Sequence, residues 1–432
     1  MKKFASYLIP SLIASVLMSM YAIVDGIFIG QKIGDAGLAA INITWPITSF
    51  LQSIGTAMGL SGGIVIQNLL GKKEVEHANK IKTLILIIVL ILGVFLGLLF
   101  YAVEEPLLHV LGATSESYPH AESYLTIILM GSIFQMLGMA LLPLLKNSNK
   151  VKLAAVASLS AIFTNFTLDY VLIYLANMDL AGAALASVLA QVVSCIICLF
   201  AFAKELKSPI FLKKDLKEIF KISLAPFILS YSFSIAIIIT NLVCSTYGGD
   251  EAVAAYTLLS YLSYIIIAIA CAVGDSIQPL FSYNQAIQDF KSNKKMLKLC
   301  LGISLGICSF CALLMFLFQK QLGDLYNLSS LALKYYKDGL LYYCVGAVFV
   351  SFIKVASSYL YAINSKLFAN ILVMLEPFAL IPLGLLIFCL FLKLYGVWVA
   401  YLFTQVLLFL LAILLLGLEQ KKIIQITHSV KN

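Results

Sequence analysis

Apolar runs of eighteen or more residues follow one another along nearly the whole chain, and no other feature restricts its fold as strongly. Such a run can cross the ~30 Å hydrocarbon layer as a helix, which satisfies every backbone N–H and C=O within the segment itself. Twelve spans are expected, at 5–30, 37–69, 83–103, 121–145, 152–176, 181–203, 219–247, 251–286, 297–318, 338–363, 366–391 and 394–417. Spans two and eight exceed the ~20 residues a bilayer needs and are expected to tilt or protrude. Charged residues make up 12% of the chain, against about 25% in a soluble domain. The fold class is therefore an all-α polytopic membrane protein. No cleavable leader is expected, because "MKKFASYLIP" runs straight into a span without a small-residue cleavage pattern.

The net charge of +8 would suit a nucleic-acid partner, but its distribution speaks for orientation instead. Every one of the 29 basic residues is Lys. With a cytoplasmic N-terminus, 23 of them fall inside, including Lys2, Lys3 and the groups 72–82, 146–152, 204–221 and 291–298, while five fall outside and Lys354 lies in the membrane. The loop 104–122 carries Glu104, Glu105, Glu116 and Glu122 with no Lys, as an outer loop should. Both termini are thus expected in the cytoplasm of a cell with this protein in its cytoplasmic membrane. The nine Cys all fall within spans, and His77, His109, His120 and His428 lie in loops or the tail. Neither a disulfide framework nor a metal centre is expected, no nucleophile–base pair is visible, and no enzyme activity or cofactor is inferred.

Self-similarity organises the rest. "GDAGLAA" at 34–40 is echoed by "GDEAVAA" at 249–255; Gly59 falls on Gly274, Pro10 near Pro226, "NSNK" at 147–150 on "NSK" at 364–366, and Gln191 on Gln405. The offset stays between 214 and 217. Two pseudo-symmetric six-helix halves are expected, 1–206 and 219–432, with 207–218 as a Lys-rich cytoplasmic linker whose Ile210, Phe211, Leu212, Leu216 and Ile219 can rest on membrane lipid. An even number of spans per half gives a parallel repeat, the pattern of some secondary transporters. A self-contained monomer is expected.

Carboxylates inside spans are costly and mark pathways or binding sites. Asp25, in "SMYAIVDGIFIG", lies about 7 Å below the outer end of span one. Asn165 and Asp169 of "NFTLD" share one face of span five, Asp169 about 12 Å down, and Ser187 of span six lies about 10 Å down. These four are the candidate coupling residues. Two carboxylates at close quarters in low dielectric require a shared proton or a cation between them, and an all-oxygen set suits Na⁺. In the second half Asn241 stands where the repeat places a partner to Asp25. A possible second charge cluster there comprises Asp275, Lys354 and Glu376. Lys354 and Glu376 each lie eleven residues from Ser365, so a hairpin brings them to one depth as an ion pair; it is structural, a second switch, or a charge facing substrate. Pairing leaves Asp275 as the unpaired acid. Pro10, Pro46, Pro143, Pro226, Pro279, Pro377 and Pro382 can bend spans, and "GTAMGLSGG" at 55–63 lets helices approach closely. Aromatic residues, with Met18, Met20, Met58, Met130, Met136 and Met139, suit a pliant apolar cavity.

A Pro early in span one, the Asp near its outer end, "GDAGLAAINIT", the Asn-x-x-x-Asp of "NFTLD", "AGAALASVLAQ" and the two-times-six repeat together resemble the multidrug and toxic compound extrusion (MATE) family. The resemblance implies a V-shaped pair of six-helix bundles exporting drug-like organic cations in exchange for Na⁺ or H⁺. It places the coupling site of the acidic N-lobe branch at Asp25, Asn165 and Asp169, with Ser187 where Thr is more usual, and gives Pro10 a role in bending span one. Asn241 and Lys354 depart from the branch with acids in the C-terminal lobe, which favours the N-lobe cluster. The alternative is a flippase for a lipid-linked saccharide or cell-envelope precursor; its pyrophosphate cargo calls for Arg or Lys along the cavity, and only Lys354 is present in the membrane.

Overall fold

The computed structural model describes residues 8, 9, 12, 23–148, 150–209 and 212–429. Lys2, Lys3, Pro10, Met18, Met20, Ile210 and Phe211, all singled out above, lie outside the described residues. Regular structure among those described is entirely helical. In chain order it runs α1 (23–33), α2 (Asp35–Gly71), α3 (Val75–Ala102), α4 (Glu104–Val110), α5 (Tyr118–Met130), α6 (Ser132–Asn147), α7 (Val151–Asp169) and α8 (Asp179–Phe202). It continues with α9 (Lys213–Ala286), α10 (Phe290–Leu317), α11 (Gln319–Leu325), α12 (Ser330–Ala362), α13 (Lys366–Leu375), α14 (Ile381–Leu392) and α15 (Leu394–Ser429). π-helical turns at Tyr170–Leu175 and Glu376–Leu380 prolong α7 and join α13 to α14.

Nine of these helical segments are long and apolar enough to cross a membrane, or ten with the pair α5 and α6, bent by 61°. The 74-residue α9 contains a non-helical residue at Gly249 and supplies two spans, so eleven of the twelve expected spans appear among the described residues. The remaining one, 5–30, falls largely outside them. Outward faces are oily: on α3, Leu90, Ile91, Phe95, Leu98 and Leu99 are all exposed, an arrangement water would penalise and lipid does not.

Packing divides the chain into two compact units. Unit 1 takes Thr246–Asn432 with the described residues before Ile27, and unit 2 is Ile27–Ser245. The chain therefore changes unit inside α1 and inside α9, not at the expected linker. Leu8 sits in a core cluster of unit 1 with Val273, Ile277 and Phe281. Hydropathy marks a span as oily without choosing its neighbours, so sequence places the halves at 1–206 and 219–432 while packing groups the helices differently.

The repeat has a backbone cause. Gly34 ends α1 at φ 82°, ψ −150°, and Gly249 breaks α9 at φ 62°, ψ −158°. This region is open to glycine and essentially closed to side chains, which is why "GD" opens both echoed motifs. Nothing lies within 4 Å of an ideal Cβ at Gly34, so a substitution there meets backbone strain alone. Gly249→Ala and Gly34→Ala are each expected to cost about 1–3 kcal/mol, read as a lower Tm of the detergent-solubilised protein; an unchanged Tm would contradict the assigned conformation.

Within unit 2, α2 seats on α6 through glycine. An ideal Cβ at Gly55 would lie 2.3 Å from the Met136 carbonyl oxygen, and at Gly59 2.2 Å from that of Ala140. Gly274, the repeat mate of Gly59, plays the same part in unit 1, its ideal Cβ falling 2.6 Å from Ser358 Oγ and 3.4 Å from Val355 Cα. Polar pairs tie further helices of unit 2 together. Asn42 Nδ2 donates to Asn241 Oδ1 at 3.1 Å and Asn241 Nδ2 to the Asn42 carbonyl at 3.0 Å. Ser49 bonds Ser234, and Gln52 Nε2 donates to Gln135 Oε1 at 3.1 Å. In an apolar surrounding such bonds hold helices in register.

One end of unit 2 is closed by charge. Lys82 and Lys150 each contact Glu205 at 2.5 Å and flank the buried Phe202 ring, 5.5 and 5.2 Å from its centroid. His77 Nε2 lies 2.9 Å from Asp215 Oδ2, fastening the start of α9 to α3. Of the apolar linker residues expected on lipid, Leu212 is exposed but Ile219 is fully buried, because α9 begins at Lys213 and turns Ile219 inward. Burial pushes the Glu205 carboxyl up, yet hydrogen bonds from Lys150 and Lys82 outweigh this and hold it below the ordinary glutamate value. A carboxylate with a depressed folded pKa stabilises the fold above its unfolded pKa, about 4.3, and loses that contribution as pH falls through the folded value. Glu205→Gln is therefore expected to melt several degrees below the parent at neutral pH, with the gap closing below pH ~4. A gap that persists in acid would show that Glu205 acts by packing, not charge.

Candidate functional site

The polar centre of unit 2 lies between α7 and α8. Small buried residues on α8, among them Ala183, Ala184 and Ala186, bring the two helices close. Asn165 and Asp169, one turn apart on α7, are 1% and 0% exposed, and Ser187 on α8 is buried beside them. Asn165 Nδ2 donates to Ser187 Oγ at 3.4 Å. Directly after Asp169 the helix widens into the π turn Tyr170–Leu175, a local irregularity that recurs at functional sites. Phe166, Tyr170 and Tyr174 from this stretch surround Phe28 at centroid distances of 6.0, 6.4 and 5.5 Å. The centre offers a carboxylate, an amide oxygen and a hydroxyl, an oxygen-only set chemically suited to a proton or a hard monovalent cation. Among the described residues no three His, Cys, Asp or Glu side chains group as metal ligands.

Asp25 belongs to unit 1. It is 8% exposed and lies within electrostatic reach of Tyr261 and Tyr326. Tyr326, itself 1% exposed, donates its hydroxyl to the Ile23 carbonyl at 3.1 Å. The following residue must be small, because an ideal Cβ at Gly26 would lie 2.4 Å from the Tyr261 ring and 2.8 Å from that of Tyr326. Of the four coupling candidates, the structure thus brings Asn165, Asp169 and Ser187 together in one unit and places Asp25 among tyrosines in the other.

The second charge cluster also lies in unit 1. Lys354 Nζ stands 3.4 Å from Glu376 Oε2, and Gln405 Nε2 donates to Glu376 Oε1 at 2.7 Å. Glu376 opens the π turn that Pro377 follows. Asp275 Oδ1 accepts from Ser358 at 2.7 Å and from Gln278 at 2.9 Å. Asn241, the departure noted in span seven, is spent on its reciprocal pair with Asn42. Of the methionines, Met58 and Met136 are core at 3% and 0% exposure, and Met130 faces outward at 71%. Sequence reasoning passed over Asn42, Gln52, Gln135, Tyr261 and Tyr326. The three amides carried a signal as polar side chains in apolar spans; the two tyrosines did not stand out among the 22 in the chain.

The family model described as MatE matches residues 10–171 and 226–384, one stretch in each repeat. The chain belongs to the MatE family. As a MatE-family protein it is a multi-pass membrane transporter and not an enzyme. It is similar to the multidrug export protein MepA of Staphylococcus saprophyticus, 27% identical over 329 residues that cover 74% of this chain and 72% of that one. MepA of Staphylococcus haemolyticus is 26% identical over 69% of this chain and 66% of its own length. Among solved structures, the inward-facing conformation of a multidrug resistance MATE family transporter of the MOP superfamily matches with a TM-score of 0.84 at 19% identity, covering 96% of this chain and 98% of that one.

Proposed function

We propose that this MatE-family transporter exports several lipophilic, cationic organic compounds across the cytoplasmic membrane, coupled to entry of Na⁺ or H⁺. It works as a monomer with both termini in the cytoplasm and the repeats 1–206 and 219–432 as its two halves. The observation that carries the coupling is the buried carboxylate of Asp169 beside Asn165 and Ser187 on α7 and α8. Asp25 is the second carboxylate of the coupling machinery in this reading. Export of many compounds is carried over from the relatives called multidrug export proteins.

The mechanism follows from linkage. An ion that binds one conformation better than the other shifts the equilibrium by that difference in affinity, and cargo favouring the opposite conformation is released by the same amount. Ion entry at the Asp169 centre and cargo release are then two faces of one exchange. In everted membrane vesicles, an ethidium-like dye is expected to move faster under an imposed Na⁺ gradient or an imposed pH gradient. Stimulation by neither would overturn the coupling and favour a flippase for lipid-linked precursors. The neutralisation of Lys354 by Glu376 speaks against that cargo, which needs uncompensated positive charge.

A further inference from the structure

The first three turns of α9 carry three rows of side chains. Asp215, Ile219 and Ser223 face inward, at 7%, 0% and 9% exposure, and the contact of Asp215 with His77 fixes that orientation. Two residues before each of them stand Lys213, Lys217 and Lys221, all exposed. At the helical turn of about 100° per residue, this row points about 160° away from the buried one. Beside it, about 60° round the helix, runs an apolar row of Leu216, Phe220 and Leu224. Phe220 and Leu224 are 50% and 60% exposed. Lys214 is exposed on the other flank, one turn before the partly buried Glu218.

Lys80, Lys82 and Lys150 of the same unit are spent on carboxylates, the first on Glu76 and the others on Glu205. Among the described residues, Lys213, Lys214, Lys217 and Lys221 enter no ion pair. After Lys221 no charged residue follows until Asp250. Four ammonium groups are too costly in hydrocarbon, and the long uncharged helix behind them belongs there, so the start of α9 stands at a bilayer surface. We propose that it is a docking surface for anionic phospholipid: the lysine row holds the headgroup phosphates, and Phe220 and Leu224 lie against the acyl chains. Charge selects the lipid. Lysines within a Debye length of an anionic surface are attracted to it, whereas a zwitterionic headgroup offers them no net charge. This inference rests on the chain being a membrane transporter and on neither its cargo nor its coupling ion.

The test places a reporter on the apolar row. Phe220→Trp is reconstituted in phosphatidylcholine vesicles with rising shares of phosphatidylglycerol or phosphatidylcholine brominated on the acyl chains, which quench tryptophan on contact. The parent, with Trp45 and Trp398 alone, supplies the background. Phosphatidylglycerol is expected to occupy the site at least about fivefold better than phosphatidylcholine. The preference is expected to fall below about twofold in 1 M salt, where the Debye length is ~3 Å. Lys213→Gln, Lys214→Gln, Lys217→Gln and Lys221→Gln together are expected to abolish it, whereas Arg at all four positions keeps it. Lys291→Gln with Lys295→Gln, at the start of α10 beside the Asp289 cap, is expected to leave it at the parent's value. A parent without preference, no quenching by either lipid, or a Gln variant that keeps the preference would overturn the docking surface. So would its loss in the α10 variant, because the charge of the whole protein and not this row would then attract the lipid.

Discussion

If the proposed coupling holds, Asp169→Asn is expected to abolish gradient-driven export of an ethidium-like dye while the protein still reaches the membrane. Asparagine keeps the size of the side chain and its capacity to accept a hydrogen bond, so α7 and α8 still pack. What it lacks is the charge that a proton or cation would answer. Coupling free energies of about 1–3 kcal/mol correspond to factors up to about 150, so removal of the ion's partner leaves transport near the passive leak. Asp25→Asn has the same expected outcome. Initial dye-efflux rates from energised cells, normalised to the amount of transporter in the membrane, check both. Full export by Asp169→Asn would remove the carboxylate from the mechanism.

Gly59→Leu is expected to remove most of the folded protein. The added Cβ would fall 2.2 Å from the Ala140 carbonyl oxygen, and the obstruction is backbone, which cannot rotate away as a side chain can. Overpacking costs about 1–3 kcal/mol where neighbours can give and more where they cannot, against a total of about 5–15 kcal/mol. The expected result is a large drop in monodisperse protein after detergent extraction, with a Tm well below the parent. Gly302→Ala and Gly306→Ala provide the contrast. Nothing lies within 4 Å of an ideal Cβ at either position, so both are expected to be neutral or to stabilise by up to about 1 kcal/mol through helix propensity. If all three variants behaved alike, the seating of α2 on α6 would not be the reason.

Much of the architecture was legible before any coordinates. Long apolar runs leave a chain little choice but transmembrane helices, and the echo between "GDAGLAA" and "GDEAVAA" located two left-handed glycines at matching breaks. Gly59 and Gly274, matched by offset alone, make the same kind of helix contact. In the candidate site, four-residue spacing was enough to put Asn165 and Asp169 on one face, and equal distances from a tight turn placed Lys354 level with Glu376.

The rest was hidden because it depends on which helix neighbours which. An oily span satisfies itself against any other oily surface, so no periodicity announced that Leu8 shares a core cluster with Phe281 or that Asn241 reaches Asn42, 199 positions away. Asp25 was read with the first half for the same reason: depth along a span can be counted, but the span's lateral partner cannot. The tyrosines beside Asp25 come from residues 261 and 326, and no motif or spacing in the sequence ties either of them to the first span.

The crossover points at Gly26/Ile27 and Ser245/Thr246 bear on biogenesis. A gene split at the linker would yield two polypeptides, neither holding a full set of helices for one packing unit. The earlier-made part of the chain must wait in the bilayer with one cluster short of its seventh-span helix until the ribosome delivers it. The unit Ile27–Ser245 can therefore close as soon as the seventh span is made, whereas the other unit stays open until the residues after Thr246 join those before Ile27.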